Sequence, residues 1–428
     1  MSAPLRLCVV NEFFYPDEAG GTGAVLTQLA SALRREGNIE IAVITSRNGY
    51  RSGTADYAAD EEWENIRIHR LPTPSAQGKK TIPRLMVNLR FGLAALGRLL
   101  TEHGKQPFDV VLAGTAPPTL AFCVHLFRRL TGVPYVYIVY DLDPDRAVVL
   151  GVLHTKSAAA RALRATQRVW LHGAARVVVL GRCMQEYLSE RYALPSARCE
   201  VIAVGADPQA IPSMPNDTKY RDQIGIGRDN FIVCYSGNFG RYHNFDTLLD
   251  AARELREDAN IVLLLVGDGA QHEHIAKRVR AERLSNVRLM PFVPPDDYPR
   301  LLSVADASVV TLEPGMEGLC VPSKFYSILA SGRAVLALTA AASEVARVVA
   351  EERCGIRVDP GDTAGITAAI RRLHGRREET RAMGARARAA LVNRFSTQGV
   401  AAQYRRVLQT VWARGEEQNT ALTAPFRR

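Results

Sequence analysis

Residues 313–337, EPGMEGLCVPSKFYSILASGRAVLA, decide the fold. Pro322 suits the start of a helix and not its interior, Ser331 and Gly332 break the helix-like run behind it, and residues 334–338 resume as an apolar strand. Ser323 or the turn before it is expected to cap the short helix, whose unpaired N–H groups and dipole favour phosphate. Lys324 falls in the first turn, where a cation is unfavourable to the helix itself, and a bound anion is the simplest reason to place one there. The plainer reading makes Lys324 a surface lysine and Glu317 a loop acid.

The same rhythm runs outward in both directions. Residues 5–10 read as a buried strand, 20–23 as a glycine-rich bend, and Val25, Leu26, Leu29, Ala30 and Leu33 recur at helical spacing before a strand at 39–45. Further strands are expected at 66–71, 108–112, 134–140 and 176–180, with helical or loop material between them. Residues 204–230, rich in Pro, Gly and charge, read as an interdomain connection. A second series follows, with strands at 231–236, 261–266, 287–292, 305–312 and 355–358, a helix at 246–255, and a long closing helix at 395–413. The architecture expected is α/β, with two Rossmann-like parallel-sheet domains facing a cleft. Their bounds are 1–205 and 206–395, and residues 396–428 form a helix crossing back toward the first domain and a polar tail. Ligands of such sheets sit at the carboxyl ends of the strands.

Composition bounds the function without choosing it. A chain of 428 residues with 47% hydrophobic and 23% charged residues is ordinary for a two-domain globular protein. Seven cysteines in no CxxC pair argue for reduced, buried thiols rather than disulfides or a structural zinc site. The amino-terminal residues lack the pattern of a signal peptide and no apolar run is long enough to span a bilayer, so a cytoplasmic location is expected. Net charge of +10 leaves nucleic acid, an anionic membrane surface or phosphorylated small molecules as partners. Nucleic acid is disfavoured, because basic residues and aromatics are not interleaved and no nucleic-acid module is present. Two stretches, 84–100 with Leu85, Leu89, Leu93, Leu96 and Leu100 on one face, and 156–176 with five cations around Leu163 and Trp170, are basic and amphipathic. Both suit peripheral contact with an anionic membrane, on the inner face of the plasma membrane, as well as ordinary packing. The GGTG bend does not fit the dinucleotide fingerprint: it lies far from its strand, and Thr45, Ser46 and Arg47 stand where an acid is needed.

Six segments in order then carry a family resemblance: AGGTG after the first strand, YDLDPD at 140–145, SGNFGRYHNFDTLLDA from Ser236, LLLVGDG from Leu263, PSKFYSILASGRAVLA from Pro322, and FSTQGVAAQY at the final helix. The chain resembles, over nearly its whole length, the retaining glycosyltransferases of family 4 with the GT-B fold, and within them the WbuB-like branch of bacterial surface-polysaccharide biosynthesis. The resemblance implies transfer of a hexosyl or N-acetylhexosaminyl group from a nucleotide-sugar donor to a polyprenyl-linked or saccharide acceptor, with no cofactor and no metal. It also implies a donor diphosphate held by Gly20 and Gly21 on one side and by Arg241 and Lys324 on the other. Asn238, Ser327 and Phe292 complete the donor set, with Phe292 beside the base. Asp141, Asp145 and Glu317 are the catalytic candidates, the two aspartates orienting an acceptor or sugar hydroxyl from the end of a strand. The sequence also departs from the family pattern. Asn238 and His243 stand where an Arg and a Lys are common, Tyr140 where a His often precedes the Asp, and Leu319 and Ser327 at the places of two glutamates, with Glu317 displaced by two. A nucleotide-sugar epimerase of the same fold, or a non-catalytic nucleotide-sugar-binding or scaffold protein, are the alternative readings.

Overall fold

The computed structural model describes residues 3–16, 21–35, 37–48, 57–73, 81–258 and 260–423. Runs such as LRLCVV, YVYIV and IVLLLV are buried along almost their whole length, as strands covered on both faces must be. The chain divides into two compact units, residues 1–203 with 397–428, and residues 204–396.

The first unit runs β1 (Leu5–Val10), α1 (Gly21–Arg35), β2 (Ile39–Ser46), β3 (Asp60–Trp63), β4 (Ile66–Leu71), α2 (Thr81–Lys105), β5 (Val110–Ala113), α3 (Leu120–Thr131), β6 (Tyr135–Val139), α4 (Asp145–Val149), α5 (Ala158–Gly173), β7 (Arg176–Val179), α6 (Arg182–Tyr192) and β8 (Cys199–Val201). Its sheet has the order β3-β4-β2-β1-β5-β6-β7-β8, parallel except for the β3–β4 pair. Because parallel crossovers are right-handed, the crossovers that step from β4 to β5, β5 to β6 and β6 to β7 put α2, α3 and α5 on one face. The opposite step from β1 to β2 puts α1 on the other.

The second unit runs α7 (Thr218–Gln223), β9 (Phe231–Ser236), α8 (Asp246–Glu254), β10 (Ile261–Val266), α9 (His272–Ala281), β11 (Val287–Met290), α10 (Tyr298–Val304), β12 (Ala307–Thr311), α11 (Lys324–Ser331), β13 (Ala334–Leu338), α12 (Glu344–Glu352), β14 (Gly355–Val358), α13 (Thr363–Gly375) and α14 (Arg377–Ala390). Its six strands are all parallel, in the order β11-β10-β9-β12-β13-β14. The order reverses between β9 and β12, which makes the carboxyl ends of those two strands the switch point of this sheet. A final helix, α15 (Thr397–Thr423), returns to the first unit, where it packs on α1 and buries Val400, Tyr404, Leu408 and Val411.

The stretch 204–230, read as an interdomain connection, falls in the second unit, and its Arg221 is a fully buried side chain. The Arg221 guanidinium donates to the carbonyls of Val304, Arg228 and Asn230 and pairs with Asp306 at 2.9 Å, so a charged residue that reads as solvent-facing is satisfied inside. In the 156–176 stretch, Trp170 is buried, while Leu163, two turns earlier on α5, is exposed. The seven cysteines are free and buried.

Candidate functional site

Two loops meet at the switch point of the second sheet, residues 237–245 after β9 and residues 312–323 after β12. Backbone bonds fix the first loop: Gly237 N–H donates to Val266 O at 2.9 Å, Phe239 N–H to Asp268 O at 2.8 Å, and Gln271 N–H to Phe239 O at 3.0 Å. The Gln271 side-chain amide adds bonds to the carbonyls of Gly240 and His243. Gly267 has φ +152°, and a Cβ built there would lie 2.0 Å from the Gly237 carbonyl oxygen. Gly267→Ala should therefore displace the Gly237 loop and cost about 1–3 kcal/mol in backbone strain alone. Thermal melts would show the lost stability.

The two loops are also bonded to each other. Glu313 N–H donates to Tyr242 O at 2.8 Å, and the Glu313 carboxylate accepts from the Asn244 amide at 2.9 Å. His243 is buried with Nδ1 2.6 Å from Thr311 O, which puts the ring proton on Nδ1. Burial and the nearby Lys324 cation hold this imidazole well below its ordinary pKa, so it is neutral at pH 7.

Lys324 opens α11, with Ser323 at the cap position and no side-chain cap to the helix. That detail corrects the expectation that the Ser323 hydroxyl caps: its backbone is helical already, so the oxygen does not reach back to the first amides. The Lys324 ammonium lies over the Tyr235 ring at 3.7 Å from the centroid and touches the Tyr235 hydroxyl, which itself donates to Asn238 O at 2.7 Å. A Cβ on Gly237 would sit 3.0 Å from the Lys324 Nζ, so the amine rests directly on the glycine loop. Among the described residues it has no carboxylate partner, and burial depresses its pKa well below 10.5. A desolvated, uncompensated cation at a strand-end switch point is arranged to receive an anion.

The other candidates fall around this centre in different ways. Asn238 and Arg241 are exposed on the first loop, and the Arg241 guanidinium is without an ion-pair partner among the described residues. Glu317 is half-buried in the second loop and its carboxylate has no protein partner among the described residues. Ser327, half-buried one turn into α11, lies beside the Tyr298 hydroxyl. Phe292 is half-buried just past β11, at the same carboxyl edge of the sheet. In the first unit, Gly21 starts α1 at φ +70° with open space where a side chain would be, whereas Gly20 lies outside the described residues.

The two aspartates part company. Asp141, just beyond β6, is half-buried and pairs with Arg146 at 2.6 Å. Its burial, helped by the neighbouring Asp143, outweighs Arg146 and raises its pKa. Asp145, expected to point at a substrate, is instead 2% exposed. Its carboxylate accepts from Arg164 at 2.7 Å and from the Tyr192 hydroxyl, which turns it inward as a tie between α4, α5 and α6. Sequence reading missed Thr311, Glu313 and Asn244, whose polar atoms join the two loops, and Tyr235, whose hydroxyl links Lys324 to the Asn238 carbonyl; nothing in their local spacing marks them.

Comparison with known proteins matches this geometry. A family model described as a glycosyl transferase 4-like domain matches residues 20–205, and one described as glycosyl transferases group 1 matches residues 230–376. The chain is 28% identical over 271 residues to the probable glycosyltransferase WbjE of Pseudomonas aeruginosa, covering 63% of this chain and 67% of that protein. It is 25% identical over 380 residues to the putative colanic acid biosynthesis glycosyl transferase WcaI of Escherichia coli K12, covering 83% of this chain and 89% of that one. Among solved structures, sucrose-phosphate synthase from Thermosynechococcus elongatus superposes with a TM-score of 0.76 at 19% identity, over 96% of this chain and 99% of the other. Anabaena HepE in complex with UDP-glucose gives 0.71 at 16% identity, over 95% and 100%. The two parallel-sheet units, in the order in which the two models match them, establish that this chain belongs to the family 4 glycosyltransferases of the GT-B fold.

Proposed function

We propose that the chain transfers a hexosyl or N-acetylhexosaminyl group, with retention, from a nucleoside-diphosphate sugar to a lipid-linked or growing polysaccharide acceptor. The observation that carries this reading is the uncompensated Lys324 ammonium on the Gly237 loop, set where a diphosphate leaving group would take on charge. In the step proposed, the acceptor oxygen bonds to the anomeric carbon as the carbon–oxygen bond to the diphosphate breaks. The acceptor proton passes to the leaving phosphate oxygen, so no protein nucleophile is needed. Lys324 and Arg241 oppose the developing charge, and the Gly20–Gly21 bend is the proposed second contact to the diphosphate. Asp141, carried on the first unit with a raised pKa, is the candidate to orient the acceptor hydroxyl. No resident metal or cofactor takes part. The names of WbjE and WcaI support a glycosyl transfer in polysaccharide assembly, and the HepE complex supports a uridine nucleotide as the first donor to try.

The test is a panel of UDP, GDP, dTDP and their sugars, with and without Mg²⁺, read first as a thermal shift and then as transfer to a polyprenyl-diphosphate sugar. One nucleotide should raise the melting temperature by mass action. Absence of any shift at millimolar ligand would overturn the reading. Because Lys324 must be protonated to hold a phosphate and burial depresses its free pKa, affinity should fall as pH climbs through that depressed value, and binding above it should take up a proton. Calorimetry in two buffers of different ionisation enthalpy measures that uptake, which Lys324→Met should abolish. A second reading, a binder that does not turn over, is favoured by Ser327, which stands beside Tyr298 at a place where the family pattern has an acid. Binding of nucleotide without release of diphosphate from any donor would select it.

A further inference from the structure

Eleven large apolar side chains are exposed among the described residues, and ten of them lie between Met86 and Val169. Chance scatter over the surface would not confine them to one quarter of the chain. On α2, Met86 (63% exposed), Leu89, Leu93 (52%) and Leu100 fall at spacings of three, four and seven residues, which aligns them along the outer side of the helix. The inner side is filled by Val87, Phe91, Ala95 and Leu99, so α2 is apolar on both sides. Arg84 and Leu85, in the same stretch, have side chains outside the described residues. The neighbouring α3 packs closely on α2, with Thr119 bonding the Asn88 carbonyl, and adds the exposed Phe122 to the same layer.

Within α2 to α5 the exposed charge is cationic, with Arg98 of α2 matched by Asp60 of β3. Residues 81–175 hold eleven Lys and Arg against five Asp and Glu, and none of the five acids is exposed. Arg90, Arg129, Lys156 and Arg161 are exposed and have no carboxylate partner among the described residues. Since α2, α3 and α5 all lie on one face of the first sheet, the apolar stripe and these cations share an outer surface. No helix among the described residues is long and apolar enough to cross a membrane.

We infer that this α2–α3–α5 face of the first unit seats on an anionic lipid bilayer, with Met86, Leu89, Leu93 and Phe122 entering the headgroup boundary and the surrounding cations on lipid phosphates. A second copy of the chain is a poorer occupant, because two-fold pairing would set this cationic layer against itself. The inference does not rest on the donor site and is tested without any sugar donor. Full-length protein should co-sediment with phosphatidylcholine vesicles containing about one-third phosphatidylglycerol, sediment little with pure phosphatidylcholine, and release as salt rises. Leu89→Glu/Leu93→Glu, on the exposed side and away from the core, should lower the partition coefficient at least about tenfold. Its melting temperature and its response to nucleotide should be those of the parent. Failure of the parent protein to bind the anionic vesicles would overturn the inference, as would undiminished binding by the double variant. A dimer in light scattering that the double variant splits, without vesicle binding by either protein, would assign the face to a second copy instead.

Discussion

Lys324→Met should abolish the nucleotide-induced thermal shift without lowering the melting temperature of the empty protein. The amine lies on the Tyr235 ring and the Gly237 loop with no carboxylate beside it, and burial depresses its pKa below the 10.5 of an open chain. Between the folded and unfolded pKa values the unfolded chain binds more protons, so stability rises with pH across that window, and at neutral pH the charged amine is a cost to the empty fold. Methionine fills similar space without the charge and relieves that cost. What is lost is a charge-assisted contact to phosphate, about 1.5–3 kcal/mol, or roughly 10- to 150-fold in Kd. The effect on kcat/KM should be larger, about 10²- to 10³-fold, because charge grows on the leaving group. A drop of several degrees in the empty protein's melting temperature would assign Lys324 a structural role and remove the observation on which the proposed function rests.

Arg164→Met should be the most damaging single change in the first unit. It strands the Asp145 carboxylate, 2% exposed, with only the neutral hydroxyls of Tyr192 and Tyr187 beside it. Breaking a buried pair from one side costs about 3–5 kcal/mol, which for a unit of this size lowers the melting temperature by roughly 6–20 °C. Asp145→Asn, which keeps an acceptor for Tyr192 and removes the charge, should cost less. Both variants, assayed well below their melting temperatures, should retain near-parental kcat if Asp145 is a tie between helices. A collapse of kcat in Asp145→Asn with an intact fold would restore Asp145 as a catalytic candidate.

These two residues show what was legible in the sequence. Strands such as β9 and β10 are read to the residue because a strand buried on both faces is an unbroken apolar run, here closed by glycine. β3, with the sequence DEEW, carries no such signal: it is an exposed edge strand held by antiparallel pairing to β4. Lys324 could be singled out because the anomaly is local, a cation in the first turn of a helix behind a proline. The character of Asp145 could not, since its partners stand 19 and 47 residues away and only the folded sheet brings them in. The burial of Arg221 carries no local signal for the same reason, its acceptors lying up to 85 residues off.

The route of the chain through its two units sets an order of assembly. The second unit begins at Val204 and ends at Ser396, and there the incoming and outgoing backbones run side by side, with Ala206 N–H on Phe395 O at 3.1 Å. Only after that seam does α15 follow, carrying Tyr404 to its place near Tyr140. During synthesis the amino-terminal unit is therefore made first and finished last. Its α1 surface waits uncovered while some two hundred residues emerge and fold, and a ribosome stalled anywhere before the closing helix leaves that surface bare.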